Sequence, residues 1–264
     1  PTPALLLRER LANRSGRVGH GLTLHPASQT SALFDEEIRG WEGIPQGYAV
    51  ESFAHEGLRF EGAFLPLEVS ASAVPQWGDA WTSIVEQFDH LACFGFMVAD
   101  SGQGRVVLGP NGEPQMLYWM RDHDRRRLIA GQALLSRLYF AAGAREVFPA
   151  VQGPWNTLRS MDDAMRFAAD APRTLKPWHL DVSAYHPLGT CRMGVNPLTS
   201  VLGPTHETHD IKHLFICDGS AVPGPLGVNP QMTNMAFAER AAAFIEQRVE
   251  QHRSPSQREG NIKK

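Results

Sequence analysis

The loop Gly224-Pro225-Leu226-Gly227-Val228-Asn229-Pro230 runs straight into a helical pattern, and this junction restricts the fold more than any other feature. Asn229 is a preferred N-cap type, because its side-chain oxygen can accept from the free amides of a first helical turn. Pro230 suits the first helical position, having no amide hydrogen to leave unpaired. It also pushes Asn229 out of helical geometry. Ala238, Ala242, Ile245 and Val249 then recur at helical spacing and give one apolar face. Upstream, Leu214-Phe215-Ile216-Cys217 is a short apolar run that reads as a buried strand, ended by Asp218-Gly219-Ser220. A strand, a turn and a helix N-terminus, in that order, form the unit with which open α/β proteins meet cofactors. The helix end favours a group that carries or develops negative charge.

His186 opens a second motif, His186-Pro187-Leu188-Gly189-Thr190-Cys191-Arg192-Met193-Gly194. A lone histidine is most often a satisfied structural residue. Here it is followed by Asp218-Gly219-Ser220, then Gly227-Val228-Asn229-Pro230 with Thr233, then Ala238-Glu239-Arg240-Ala241 in the helix. In this order and spacing the chain resembles the C-terminal part of the glucose–methanol–choline (GMC) family of flavin oxidoreductases. Thr2-Pro3-Ala4-Leu5-Leu6 is similar to the family's segment after a flavin-contacting loop. Gly19 and His25-Pro26 resemble a segment whose backbone lies close to the flavin.

The resemblance implies FAD as cofactor and oxidation of an alcohol to an aldehyde or ketone by hydride transfer to flavin N5. It gives His186 the role of base, and Asn229 falls on the second member of the catalytic pair. Asp218, Gly219, Pro230, Gln231, Met232 and Thr233 match positions that face the flavin. The chemistry agrees with those residue types. A histidine with an unperturbed pKa of ~6.5 can take the hydroxyl proton near neutral pH. Asparagine can hydrogen-bond a substrate oxygen but cannot act as a base there. An Asn229 that caps its own helix is less available to substrate, so the two roles compete.

The resemblance also sets the expected organisation. The fold class is α+β: a mostly antiparallel substrate-domain sheet backed by helices, plus C-terminal elements that complete a Rossmann-like FAD domain. Residues 1–30 would contact the flavin domain, 31–180 would form the substrate domain, 181–250 would carry the catalytic and FAD-contacting motifs, and 251–264 would be a disordered polar tail. No G-x-G-x-x-G fingerprint is present. The chain therefore reads as the C-terminal half of such an enzyme, needing an N-terminal FAD-binding half and inactive without it.

Within the chain, alternating patterns predict a short helix over residues 4–12, and strands at Tyr48–Phe53, Leu58–Leu65, Cys93–Val98, Arg105–Leu108, Gln115–Met120 and Arg145–Phe148. A helix capped by Asp122 and ended by Gly143 is expected, and Trp77, Trp81, Ile84, Val85, Phe88 and Leu91 suit another. Those aromatic residues, with the Phe34–Gln46 phrase, suggest an apolar pocket for a bulky or long-chain alcohol.

Other classes are weakly supported. A net charge of -3 over 264 residues gives no electrostatic case for nucleic acid. No apolar run approaches the ~20 residues of a membrane span, so the expected setting is cytoplasmic or peripheral to a membrane. Cys93, Cys191 and Cys217 form no C-x-x-C pair. His206, Glu207, His209, Asp210 and His213 cluster without an H-E-x-x-H pattern, and no metal is expected. A hydrolase would need a G-x-S-x-G elbow, which is absent. A scaffold that kept the fold and pairs with a separate flavin-binding chain is the rival reading; a bound flavin's yellow colour would distinguish it. The sequence is silent on the particular alcohol and on the electron acceptor.

Overall fold

The computed structural model describes residues 1–252 apart from Pro45, Ala63, Leu65 and Ala73. Of the tail expected over 251–264, residues 251 and 252 instead end the last helix, and the rest lies outside the described residues, as do Ala63 and Leu65 of the Leu58–Leu65 strand and Pro45 of the Phe34–Gln46 phrase. In chain order the elements are α1 (Thr2–Arg8), β1 (His20–Leu22), β2 (Ala27–Leu33), β3 (Ala49–Val50), β4 (Leu58–Glu61), α2 (Leu67–Ser72), α3 (Gly78–Val85), β5 (Leu91–Val98), β6 (Gln103–Leu108), β7 (Pro114–Trp119), α4 (Asp122–Ala141), β8 (Glu146–Pro149), α5 (Met161–Thr174) and α6 (Gln231–His252). Among the described residues every pairing between these strands is antiparallel, in keeping with the mostly antiparallel sheet expected. Among the described residues no helix is long and apolar enough to cross a membrane.

The chain divides into two compact units. One comprises residues 25–102 and 120–185 and carries a five-stranded sheet in the order β3-β4-β5-β2-β8. Alternation sorts its strands by face. Ala32, Val98, Phe96, Phe60 and Val147 join Leu128, Ile129 and Leu135 of α4 and Ala164 and Phe167 of α5 in the main core. Leu33, Leu91 and Phe148 point the other way and pack with Val74 and Ile84. Gly131 lets α4 lie close to the sheet, because a Cβ there would stand 2.4 Å from the Phe96 ring. Arg125, itself buried, donates to the Leu175 carbonyl at 2.7 Å and to Asp122, tying α4 to the end of α5.

Some boundaries differ from expectation. Asp122 is the first helical residue of α4 rather than its cap, and its carboxylate accepts from Arg125 and Arg126. Those two hydrogen bonds lower its pKa. The helix expected across residues 77–91 is α3 alone, preceded by the short α2. Pro75 between them offers no amide, and Gly78 at φ +58 turns the chain at the start of α3. The Tyr48–Phe53 strand is reduced to Ala49–Val50.

The other unit comprises residues 1–24, 103–119 and 186 onward. It holds a three-stranded sheet, β1-β6-β7, with α1, α6 and a long irregular stretch between. Its core is smaller: Leu6, Val18, Cys191, Val201, Leu202, Ile216 and Ala221. The strand predicted over Leu214–Cys217 is a correction. Only an isolated bridge from Phe215 to Glu207 forms there, with Thr208 N–H donating to Leu214 and Ile216 N–H to His206. An extended segment becomes a strand only when a second chain segment satisfies a run of its backbone groups. Among the described residues this one meets no more than that bridge.

Candidate active site

Three backbone segments of this unit run side by side. Leu188 and Thr23 exchange both hydrogen bonds, at 2.9 and 3.1 Å. The chain then passes to the Asp218 turn: Gly189 N–H donates to Gly219 O at 3.2 Å, Cys191 N–H to Ser220 O at 2.8 Å, and Met193 N–H to Ala221 O at 2.9 Å. Glycine permits the approach. Gly189 sits at φ +85, and a Cβ there would stand 2.4 Å from the Gly21 carbonyl oxygen. A side chain on Gly219 would meet a Leu188 methyl at 3.0 Å, with the Asn234 amide 3.6 Å away. So the histidine loop, the Asp-Gly turn and the first turn of α6 are neighbours, although 186 and 234 are far apart in sequence.

Asp218 caps the 3-10 turn Gly219–Ala221, accepting from Ser220 N–H at 2.8 Å and from the Ser220 hydroxyl. Its second oxygen accepts from the Thr2 hydroxyl. The carboxylate therefore acts as a turn-former here, with the amino-terminal helix drawn in. Gly19 is buried, with N–H donating to Thr190 O at 2.7 Å and C=O accepting from Val106 N–H at 2.8 Å. A Cβ on it would stand 2.3 Å from Val106 O, which is why glycine is needed.

The start of α6 is shifted by one residue from the sequence expectation. Its first helical bond runs from Asn234 N–H to Pro230 O at 2.8 Å. Pro230 thus takes the cap position and Asn229 precedes it. Pro230 is buried, Asn229, Gln231 and Met232 are exposed, and Thr233 is half-buried. The amides of 231–233 precede the first helical donor, so they form the electropositive end of a 22-residue helix. His186 is half-buried on its loop.

Cys191 is fully buried, and burial pushes its thiol up to about 12 despite a side-chain hydrogen bond with Ser220. It stays protonated and serves as packing, not as a nucleophile. The other histidine cluster is built into the fold. His206 is sealed from water; its Nδ1 lies 3.3 Å from Ile216 O and its Nε2 3.3 Å from Arg240 Nη1. A neutral ring with Nδ1–H donating and Nε2 accepting satisfies both contacts. Desolvation, helped by the Arg240 charge, lowers its pKa. His209 Nε2 faces Ser200 Oγ and Gly194 O, Glu207 accepts from His213 N–H and Arg248, and Asp210 accepts from Arg14 N–H. Among the described residues no group of three potential ligands is disposed around a metal position.

Sequence reasoning missed three contributors. Thr2 holds Asp218. Gly21 makes room for the Arg192 guanidinium, whose Nη2 stands 1.9 Å from where a Gly21 Cβ would be. Arg240, noted only as part of a motif, anchors α6 to His206. Gly21 had a signal in its nearness to Gly19; the other two pair residues too distant in sequence for any local pattern. Trp77 is exposed, whereas Trp81 and Phe88 pack on the Leu33–Phe148 cluster, with Phe88 stacked on Trp41 at 5.3 Å.

The GMC oxidoreductase family profile matches residues 100–238. An uncharacterised GMC-type oxidoreductase of Mycobacterium tuberculosis is 32% identical over 241 residues, covering 90% of this chain and 37% of the relative. A long-chain-alcohol oxidase of Arabidopsis thaliana is 28% identical over 262 residues, covering 90% of this chain and 33% of the relative. In a formate oxidase of Aspergillus oryzae, studied for modification of its FAD, the fold superposes with a TM-score of 0.61 at 13% identity, over 95% of this chain and 53% of that one. The chain thus spans about a third of the curated relatives and about half of the solved enzyme.

Proposed function

The chain belongs to the GMC oxidoreductase family, and from that premise we propose that it supplies the catalytic pair of an FAD-dependent enzyme that oxidises an alcohol to an aldehyde or ketone. The carrying observation is the backbone ladder that joins the His186 loop to the Asp218 turn, with Asn234 of the first turn of α6 beside Gly219. FAD, when bound, supplies the flavin N5 that accepts the hydride. The residues present suit it: the amides of Gln231, Met232 and Thr233 lie at an electropositive helix end, which stabilises negative charge. Asp218, Gly219 and Pro230 shape the turn leading to that end. Gly19, whose backbone groups are both engaged, shapes its loop. The Gly-rich grip for the pyrophosphate would come from an N-terminal flavin-binding part, without which the chain is inactive.

In this reading His186 accepts the hydroxyl proton, and Asn229 hydrogen-bonds the substrate oxygen and orients it. The substrate is a long-chain alcohol; the similarity to the Arabidopsis oxidase over 90% of the chain supports this. General base catalysis typically contributes ~10²–10⁴-fold. In the complete enzyme, His186→Ala is expected to slow anaerobic flavin reduction by roughly that factor while FAD stays bound. Unchanged reduction from about pH 6 to about pH 9, which brackets a histidine pKa, would assign the base elsewhere. A panel of fatty alcohols, glucose and choline tests the substrate class.

A further inference from the structure

α1 ends in an unusual way. Leu11 N–H donates to Leu6 O at 2.8 Å and Arg10 N–H to Leu7 O at 3.4 Å, the paired bonds of a Schellman cap. The residue at the left-handed position of that cap is ordinarily glycine, because a Cβ is disfavoured there. Here it is Arg10, at φ +55, and two residues on Ala12 is also left-handed, at φ +50. A left-handed arginine is kept at an energetic cost that glycine would remove.

Arg10 borders an open cavity of about 490 Å³, with Arg14 beside it. Leu6 and Ala12, both buried, and the half-buried Ile211 supply apolar wall. The one acid on the lining, Asp210, already accepts from the Arg14 backbone N–H at 2.7 Å. Neither guanidinium has an ion-pair partner among the described residues. The volume is within the range of small-ligand sites. Two arginines without ion-pair partners, lining a cavity with apolar wall, match an oxyanion head on an apolar body, since arginine recognises carboxylate and phosphate bidentately.

We propose that this cavity is a secondary binding site for an anionic amphiphile, a carboxylate or phosphate head carrying an alkyl body, held by Arg10 and Arg14 and separate from the alcohol site. The proposal does not rest on the catalytic assignment. The test is calorimetric titration of the complete protein with octanoate, octyl phosphate and inorganic phosphate. Octanoate or octyl phosphate is expected to bind saturably, and inorganic phosphate at least roughly tenfold more weakly, because it buries no alkyl surface. Arg10→Gly and Arg14→Gln are each expected to weaken amphiphile binding by roughly tenfold or more, the loss of a charge-assisted contact. Arg10→Gly relieves the left-handed strain, so its melting temperature should hold or rise while binding falls. Retained binding in both variants overturns the proposal, as does wild type that binds no amphiphile. Inorganic phosphate binding as tightly as octyl phosphate overturns the amphiphile class. Vesicles containing anionic lipid form a separate arm. Co-sedimentation lost in Arg10→Gly identifies a lipid headgroup as the source of the anion; binding of free octanoate alone identifies a soluble amphiphile.

Discussion

Phe148, Phe167, Leu128 and Ile129 are closed off from water in the unit built on the five-stranded sheet. In the unit that carries His186, the most restrictive positions are Gly19, Gly21 and Gly189, each at positive φ and each facing an atom where a Cβ would stand. The first unit is stabilised by filled volume, and the second by close backbone fit around a small core. The difference teaches where each should break. A volume-filled core fails when side-chain mass is removed. A backbone-fitted unit fails when a single methyl is added.

The largest expected effect lies in the volume-filled unit. Phe167→Ala removes a wholly buried ring from the α4–α5 interface and is expected to cost about 3–5 kcal/mol, read by urea unfolding. A loss below about 1 kcal/mol would show that this core is not the source of its stability.

Next comes the converse experiment. Gly189→Ala adds one methyl at φ +85, against the Gly21 carbonyl. The left-handed backbone alone disfavours a Cβ by roughly 1–2 kcal/mol, and the clash raises the total to about 2–4 kcal/mol. The same change at Gly16, at φ +66 with nothing within 4 Å, is expected to cost only the backbone part. Equal losses at the two sites would remove close approach from the account.

The smallest effect sharpens the comparison by pH. His206 has a folded pKa below its ordinary value. The folded state then binds its proton less readily than the unfolded chain, so His206 costs nothing above the unfolded value of ~6.5. Stability is lost as pH falls below that value and through the folded pKa. Hydrogen exchange at the Ile216 amide, which bonds His206 O at 3.0 Å, should accelerate on going from about pH 7.5 to about pH 5.5, beyond the intrinsic trend. His206→Gln should abolish that excess, and an unchanged excess would trace it to another group.

Legibility in the sequence followed the same division. The unit with the five-stranded sheet was readable because alternation and helical spacing report burial locally: β5, α4 and β8 all formed near their predicted places. Its errors arose at ends, where Pro75, Gly78 and the Asp122–Arg125 contact redirected the chain. In the other unit the motif residues were readable, but their geometry was not. Leu214–Cys217 has a strand's composition and forms only a bridge.

By itself, the sequence determined which residues are chemically capable: a histidine that can take a proton, an asparagine that can only orient, and a helix that must begin near Asn229-Pro230. Those properties follow from side-chain chemistry and local backbone rules, so they need no partner. Tertiary structure alone decided that Pro230 rather than Asn229 takes the cap of α6, that Asp218 binds Thr2, that His206 is held neutral against Arg240, and that Arg10 remains unpaired beside a cavity. The Thr2–Asp218 and His206–Arg240 contacts depend on groups distant in sequence meeting within a few ångströms, and the energy of that meeting is carried by neither residue alone.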